Sequence, residues 1–209
     1  MRSWLPLKPT LSVAGITPGK VSRAVDERAL VERCLAGDRD GLRMFVEQFQ
    51  GLVFAICLRQ LGQRQDAEDV AQETLVRAVR HLHHWDGVRP LKPWVLMIAV
   101  NRCRTHQSRR KTRTHTVESV IEPVAPAARL GEFDLAEELQ LALGQLRENY
   151  RTCFLLFHQQ DLGIQAVAEI MECPEGTIKT WLHRARRELA DLLRARGVVT
   201  EEGYELFRV

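Results

Sequence analysis

Two groups of side chains within residues 66–111 have the chemistry that macromolecular binding requires. The first group is acidic and amidic, and it consists of Asp66, Asp69, Gln72 and Glu73. The second group surrounds a loop that contains Gly and Pro, and it consists of Trp85, Arg89, Lys92 and Trp94. Beyond this loop, residues 100–117 include six Arg or Lys and no acid. Rings that stack on unpaired bases, next to cations that meet phosphates, are typical of a nucleic-acid surface.

A further basic stretch covers residues 179–196 and follows a predicted turn at Glu172-Cys173-Pro174. The turn separates a short apolar helix, predicted over 164–171, from a longer helix that begins at Glu175 or Gly176. Two helices joined by a short turn, of which the second is basic, are typical of a DNA-binding helix-turn-helix. The alternative is a plain helical hairpin whose arginines face solvent.

The charges on the acidic helix also have a simpler explanation. The acids of 66–73 precede Arg77 and Arg80, an order that suits the helix dipole, and Glu73 and Arg77 form an i,i+4 pair. An ordinary surface helix therefore accounts for these charges by themselves. It does not account for the aromatic and basic residues that follow.

Apolar residues at three-to-four spacing predict the helices that carry these groups. Asp26 is the predicted N-cap of the first helix, which stops at Ala36-Gly37-Asp38, and Gly62 ends a strongly apolar second helix over 39–61. The acidic helix begins at Asp66, and a basic helix over 94–110 completes a four-helix unit. The first helix of a second unit has these predicted core residues: Leu135, Leu139, Leu141, Ala142 and Leu146.

We therefore expect an all-α protein with two small helical domains joined by a flexible linker. The predicted divisions are a disordered extension over 1–24, a four-helix domain over 25–111 and a linker over 112–133, which contains Pro123 and Pro126. A four-helix domain with the helix-turn-helix then covers 134–196, with Asp134 as a plausible N-cap, and a tail covers 197–209.

The composition argues against several kinds of site. The five cysteines are an odd number, widely spaced and without a CxxC motif, so we expect reduced thiols that act as small apolar side chains. The i,i+2 and i,i+3 spacings of His81, His83 and His84 should spread them around a helix end, so no metal site is predicted. No paired carboxylates, Cys/His couple or serine nucleophile motif lies beside the basic faces, so we expect no catalytic residues, no cofactor and no enzyme.

Both halves of the chain resemble the bacterial RNA polymerase sigma factors of the sigma-70 family, specifically the small two-domain extracytoplasmic-function (ECF) group. ERCLAGDRDGLRMFVEQFQGLVF is similar to the opening of the family's first domain, and DAEDVAQETLVRAV to its polymerase-binding helix. KPWVLMIAVNRCRTHQSRR is similar to its promoter-melting segment, and residues 146–189 to the domain that reads the minus-35 element. The two signatures stand in the family's order and cover about 26–111 and 133–196.

The resemblance implies a transcription initiation factor that binds core RNA polymerase, directs it to a promoter and helps to melt the DNA. On the polymerase, it implies contact with the clamp helices of the largest subunit and the flap of the second. The implied clamp-binding residues are Asp66, Asp69, Gln72 and Glu73. Promoter DNA is the other implied partner, and an anti-sigma factor is expected from the family. A cytoplasmic location without membrane insertion is also expected.

Two sets of DNA contacts follow from the same resemblance. The loop over 85–92 would receive a base flipped from the minus-10 element, and the next helix would hold the strand. The implied minus-10 residues are Trp85, Asp86, Arg89, Lys92, Trp94, Asn101, Arg102 and Arg104. The implied minus-35 residues are Gly176, Thr177, Lys179, Thr180, His183, Arg184 and Arg187.

The chain departs from the family pattern at several positions. Glu172 stands where the family usually has the turn's Gly, so we expect a helix-turn-helix turn of different length or shape. Pro90 and Pro93 should stiffen the base-capturing loop. Trp181 either stacks on the DNA backbone or packs on the partner helix, of which we favour packing, and Trp85 either faces the extruded base or fills the bottom of the first domain.

A freestanding helix-turn-helix regulator is the alternative function. Such a protein would keep the basic second unit, but it would not need the acidic residues of 66–73 together with the aromatic and basic residues of 85–104. Co-elution with core polymerase in gel filtration would separate the two hypotheses.

Overall fold

The structure, a computed structural model, describes residues 26–116 and 135–198. The described residues form eight α-helices, one 3-10 turn and one π-helical segment, without a β-strand. The first unit contains α1 (Glu27–Leu35), α2 (Arg39–Leu61), α3 (Arg64–His81), the 3-10 turn (Leu82–His84) and α4 (Leu91–Thr116). The second contains α5 (Leu135–Gln145), α6 (Glu148–Phe154), the π-helical segment (Leu155–Gln159), α7 (Ile164–Met171) and α8 (Glu175–Ala195). The predicted all-α class with two helical units is confirmed.

Parts of the chain for which the sequence made predictions lie outside the described residues. They are the N-terminal extension, Asp134, most of the linker and most of the tail.

The limits of α1 and α2 follow from their capping residues. Asp38 accepts a hydrogen bond at 3.0 Å from the backbone N–H of Asp40 at the start of α2, and Asp26 accepts one from Arg28 in α1. Gly62 ends α2 with a φ of 75°, a left-handed conformation that glycine adopts without steric cost. These boundaries agree with the predicted ones.

One helix of the described residues, α2, is long and apolar enough to cross a membrane by length and composition. The same two properties are required of the central helix of a helical core. Phe45, Val53 and Ile56 of α2 are completely buried, and α1, α3 and α4 pack around the helix. The apolar stripe of α2 is therefore occupied by the core of the first unit.

The ends of α3 and α4 differ from the predicted ends. α3 begins at Arg64, two residues before Asp66. α4 begins at Leu91 because Pro93 falls in the first turn, where a missing N–H costs nothing. It continues to Thr116, beyond the predicted end at residue 110, since residues 111–116 contain neither Gly nor Pro.

The helix-turn-helix is formed by α7 and α8, whose limits agree with the predicted ones to within a residue. Val167, Ile170 and Ile178 are buried between the two helices. Glu172 ends α7 in the left-handed conformation, with φ 55° and ψ 45°, and the backbone N–H of Cys173 donates to the Ala168 carbonyl at 3.1 Å. The non-glycine residue therefore takes the left-handed conformation that a glycine would supply.

The predicted register of α5 is partly wrong. Leu141 is 38% exposed, whereas Leu143 is completely buried beside Ala142. An ion pair between Arg196 and Glu138 also joins the end of α8 to α5. The packing of α8 against α5 therefore selects Leu143 rather than Leu141 as the inward leucine.

The two units pack against each other through a polar junction. The Gln60 side-chain N–H donates to Thr152 Oγ1 at 2.7 Å, and both residues are buried. The Arg151 guanidinium donates to the Gln60 carbonyl at 2.8 Å, and the Gln107 amide donates to the same carbonyl at 2.9 Å. The junction therefore uses the C-terminal end of α2 as its centre.

All five cysteines are free, as predicted, and four of them are buried. The Cys103 thiol donates to Cys57 Sγ at 3.7 Å, which joins α4 to α2 inside the first core. The hydrogen-bonded pairing with the Cys103 thiol, together with burial, raises the pKa of Cys57. These thiols therefore act as small apolar side chains.

Candidate functional site

Helix α3 presents the predicted acidic residues on one side, since positions i, i+3 and i+7 share a helix face. Asp69 and Gln72 are exposed. Asp66 lies 3.7 Å from His106 and 3.6 Å from Arg110, both on α4. The structure therefore brings the four residues together, but it exposes the middle of the face more than its ends.

Glu73 joins α3 to α4 through an ion-pair network. Its carboxylate accepts hydrogen bonds from Arg102 at 2.7 Å and from Arg77 at 3.3 Å. Partial burial acts to raise the pKa of Glu73, but these two guanidinium groups outweigh it and the pKa is lowered. The Arg102 side chain is only 12% exposed. This residue, predicted to contact DNA, therefore lies largely buried between α3 and α4.

The loop between the 3-10 turn and α4 is held by a network of short-range hydrogen bonds. Asp86 accepts from the backbone N–H groups of Val88 and Arg89, both at 3.0 Å, and from Arg89 Nε at 2.7 Å. Together these bonds lower the pKa of Asp86 to about 2, and the bond from the Arg89 backbone N–H contributes most. Gly87, at φ 69°, supplies the left-handed residue inside the turn.

The two ends of this loop are fixed to the first unit. Trp85 is half-buried against the core, and its indole N–H donates to the Arg89 carbonyl at 2.9 Å. Arg28 of α1 donates to the Gly87 carbonyl at 2.8 Å. Val88, at the tip of the loop, is 80% exposed. This exposed apolar residue was not among the predicted site residues. The loop is therefore rigid at its base and presents an apolar tip.

Three of the predicted minus-10 residues contact the second unit. Lys92 Nζ donates to the Gln160 carbonyl at 2.6 Å, and desolvation lowers the pKa of Lys92. Arg89 lies 3.4 Å from Glu169 of α7. Arg104 Nη2 donates to Met171 Sδ at 3.3 Å. These long-range contacts were not predictable from helical periodicity, because they depend on how the two units pack.

The remaining members of this set lie on α4. Trp94 is half-buried and packs against the core, and Asn101 is half-buried one helical turn before Thr105. Arg104 also lines a cleft of about 550 Å³ between the units, together with Cys173 and Trp181. Trp181 is half-buried and packs against the core, as favoured from the sequence.

The predicted minus-35 residues lie between positions 176 and 187 of α8, on the side opposite its buried residues. All are exposed except Thr177, which is half-buried, and Ile178, Leu182 and Ala185 face the core. Arg184 Nη1 donates to the Tyr150 hydroxyl at 3.2 Å, which orients its guanidinium towards α6. The structure therefore brings these residues to one accessible face.

The three histidines at the end of α3 are not spread apart as predicted. The 3-10 turn, tighter than an α-helix, places His81 and His84 almost parallel, with ring centroids 5.7 Å apart. The rings of His83 and His84 lie 4.0 Å apart, and all three residues are exposed. Their potential ligand atoms lie within 4.8 Å of one another, so this group could hold a metal ion.

Comparison with known proteins matches both units to regions of the same protein family. The family model for sigma-70 region 2 matches residues 45–113, and the model for sigma-70 region 4 matches residues 136–189. The chain is 28% identical over 177 residues to the ECF RNA polymerase sigma factor SigW of Bacillus subtilis, which covers 78% of this chain and 95% of SigW. It is also 28% identical over 179 residues to the ECF RNA polymerase sigma-E factor of Haemophilus influenzae, covering 79% of this chain and 94% of that protein.

Solved structures agree with this assignment. The sigma factor RpoE of Bartonella quintana, in complex with the anti-sigma factor NepR, matches with a TM-score of 0.64 and 26% identity. The match covers 73% of this chain and 96% of that chain. CnrH, in complex with the cytosolic domain of CnrY, shares the fold with a TM-score of 0.61, covering 82% of this chain and 99% of that chain.

Proposed function

The chain belongs to the sigma-70 family of RNA polymerase sigma factors, and we propose that its two helical units divide promoter recognition between them. It is a transcription initiation factor of the ECF group and not an enzyme. The observation that carries this conclusion is the match of both units, in order, to sigma-70 regions 2 and 4. A freestanding helix-turn-helix regulator would need only the second match.

Core RNA polymerase and promoter DNA are the partners of this factor, and the relatives solved with anti-sigma factors support an anti-sigma factor as a third. We propose the cytoplasm, where the polymerase acts, as its location. The proposed domains cover 25–111 and 134–196, with the end of α4 projecting beyond the first.

The acidic face of α3 is the proposed binding site for the clamp helices of the polymerase's largest subunit. Its exposed centre, formed by Asp69 and Gln72, is available to a basic partner, while Asp66 and Glu73 flank it. The ion pairs of these flanking acids with α4 hold the two helices together. We therefore expect Asp69 to contribute more to direct contact than Glu73. The flap of the second subunit is the proposed partner of the helix-turn-helix domain.

Reversal of one exposed charge tests the polymerase site. Asp69→Lys should abolish co-elution with core polymerase while leaving the helical content unchanged, because exposed charge changes usually cost well under ~1 kcal/mol of stability. Glu47→Lys is the matched control: the same charge reversal at an exposed glutamate, but on α2. Equal binding by both variants would refute the proposed face.

The loop from Trp85 to Lys92 and helix α4 are the proposed minus-10 site. The rigid turn around Asp86 supports this role, because a pocket for one extruded base needs a preformed backbone. Trp94, Asn101, Arg102 and Arg104 would line the path of the strand along α4. The exposed face of α8 is the proposed minus-35 site, where an Arg or Lys can reach base edges in the major groove.

Transcription from duplex and pre-melted promoters tests the loop. Alanine at Asp86, Arg89 and Lys92 should lower open-complex formation on duplex DNA, and a bubble template should restore much of the activity. Glu169→Gln is a suitable control, because it removes a contact of Arg89 with the second unit without altering the loop. If permanganate, which modifies unpaired thymines, reacts with the promoter as strongly in the alanine variant as in wild type, this loop does not melt the DNA.

A further inference from the structure

We propose that His81, His83 and His84 form a binding site for one divalent late transition-metal ion, with Zn²⁺ as the reference ion. The site lies on the surface of the first unit, at the end of α3 and directly before Trp85. Its binding of metal does not depend on the proposed DNA contacts.

The local backbone explains why three neighbouring histidines converge. In a 3-10 helix, side chains three positions apart eclipse one another, and His81 and His84 are three apart. Their rings are inclined by only 24°, and the ring of His83 lies 4.0 Å from that of His84. In a continued α-helix His81 and His84 would be offset by about 60° around the axis, so the 3-10 turn brings the two side chains into closer register.

The turn that carries the histidines is anchored from the inside. Leu82, between the first two histidines, is only 1% exposed, and the backbone N–H of Trp85 donates to its carbonyl at 3.0 Å. The backbone is therefore held while the three imidazoles stay in solvent. Exposed side chains can rotate to bring nitrogens from within 4.8 Å to the spacing of about 3.4 Å that a tetrahedral Zn²⁺ with Zn–N near 2.05 Å requires.

The ligand chemistry selects the class of ion. Imidazole nitrogens suit Zn²⁺, Cu²⁺ and Ni²⁺, whereas Mg²⁺ and Ca²⁺ prefer carboxylate and carbonyl oxygens. Three protein ligands leave a fourth position for water. The site also lies at the C-terminal end of α3, where the helix dipole favours a cation.

Titration calorimetry of the full chain with Zn²⁺ tests the site. Wild type should bind with a stoichiometry of one at the histidines, and the double variant His81→Asn/His84→Asn should bind at least about tenfold more weakly, since even second-shell changes cost this much. Because these side chains are exposed, the variant should keep its helical circular dichroism. His183→Asn, an exposed histidine on α8, is the matched control and should bind like wild type. Unchanged affinity of the double variant would overturn the proposal.

Titration with Co²⁺ identifies the ligand atoms. A site of three histidines should give d–d bands without the near-ultraviolet charge-transfer band of a cobalt–thiolate bond. Cys173, the one half-exposed cysteine among the described residues, is the competing ligand, so Cys173→Ser should leave both spectrum and affinity unchanged. A thiolate band that disappears in Cys173→Ser, with binding lost, would also overturn the proposal.

Discussion

At the scale of single residues, Glu172 shows how the helix-turn-helix turn accommodates a side chain where a glycine is expected. Its φ of 55° costs an L-residue roughly 1–2 kcal/mol relative to the right-handed helical region. Glycine does not have this steric cost, although it loses more backbone entropy on folding.

The first prediction is that Glu172→Gly raises the free energy of unfolding by about 0.5–1 kcal/mol, the net of these two effects. Urea unfolding followed by circular dichroism measures it. Glu175→Gly is the matched control, because Glu175 lies in the first turn of α8. There glycine should destabilise by up to about 1 kcal/mol, so effects of equal sign would contradict the explanation.

The second prediction concerns Asp86, whose pKa in the folded chain is about 2 instead of 3.8. The stabilisation from its hydrogen bonds is complete above pH about 4, and it is lost as the pH falls towards 2, because the unfolded chain takes up the proton first. A carbon-13 NMR titration should place the Asp86 carboxyl midpoint near 2. The difference in free energy of unfolding between wild type and Asp86→Asn should shrink over the same pH range. A carboxyl midpoint near 3.8 would show that the hydrogen bonds to Asp86 do not form.

At the scale of elements, α8 combines a proposed DNA-binding side with a contact to α6. Arg184 is exposed and is a proposed base or phosphate contact, but it also donates to the Tyr150 hydroxyl. Loss of DNA binding in an Arg184 variant could therefore arise from either role.

The third prediction separates the two roles of Arg184. Arg184→Ala should weaken binding of the holoenzyme to a minus-35 duplex by about 1–3 kcal/mol if it contacts a base. Tyr150→Phe removes only the hydroxyl and should leave binding within about twofold of wild type. If Tyr150→Phe reproduces the loss, Arg184 acts by orienting α6 and α8, and its base contact is excluded.

Most helices were predictable because their signals are local. The Asp38 side chain fixes the start of α2, and the left-handed backbone of Gly62 fixes its end. The apolar stripe of Val70, Ala71 and Ala78 specifies which side of α3 is buried. The register of α5 was not predictable in the same way. Leu141 and Leu143 are both apolar, and the choice between them depends on contact with α8.

The candidate site was predictable in its residue types but not in its pairings. Periodicity placed Glu73 off the apolar stripe, yet it could not show that Arg102 would approach it from α4 at 2.7 Å. The convergence of the three histidines was not predicted, because α-helical spacing places His83 about 100° from His84 and about 160° from His81 around the helix axis. A change to a 3-10 turn over three residues, Leu82–His84, has no strong sequence signal.

At the scale of the whole molecule, the packing of the two units affects what the free chain can bind. Arg89, Lys92 and Arg104 contact the second unit, whereas the proposed DNA-binding side of α8 stays exposed. Separation of the units would therefore free these three proposed minus-10 residues, whereas the proposed minus-35 residues are already accessible. We expect binding to polymerase to favour the separated form.

The fourth prediction is that Thr152→Val increases the affinity of the free chain for single-stranded minus-10 DNA. The change leaves the buried Gln60 amide without its acceptor at the junction, which costs the packed form about 1–3 kcal/mol. Fluorescence anisotropy with a labelled oligonucleotide measures the gain, at least about fivefold.

Thr74→Val is the matched control for the junction. Thr74 is also buried, but its hydroxyl donates to the Val70 carbonyl within α3. It should leave the affinity for the single strand unchanged. An equal gain in both variants would mean that loss of stability, rather than opening of the junction, exposes the minus-10 residues.

The distribution of the five thiols has a consequence for chemical labelling. Cys173 lines the cleft between the units, while Cys34, Cys57 and Cys103 are buried in the first unit and Cys153 in the second. A thiol reagent should therefore modify the half-exposed Cys173 first, and the buried thiols only as fast as each core unfolds. The labelling rate of each buried thiol therefore reports unfolding of its own unit, and the rate at Cys173 reports changes in the cleft between the units.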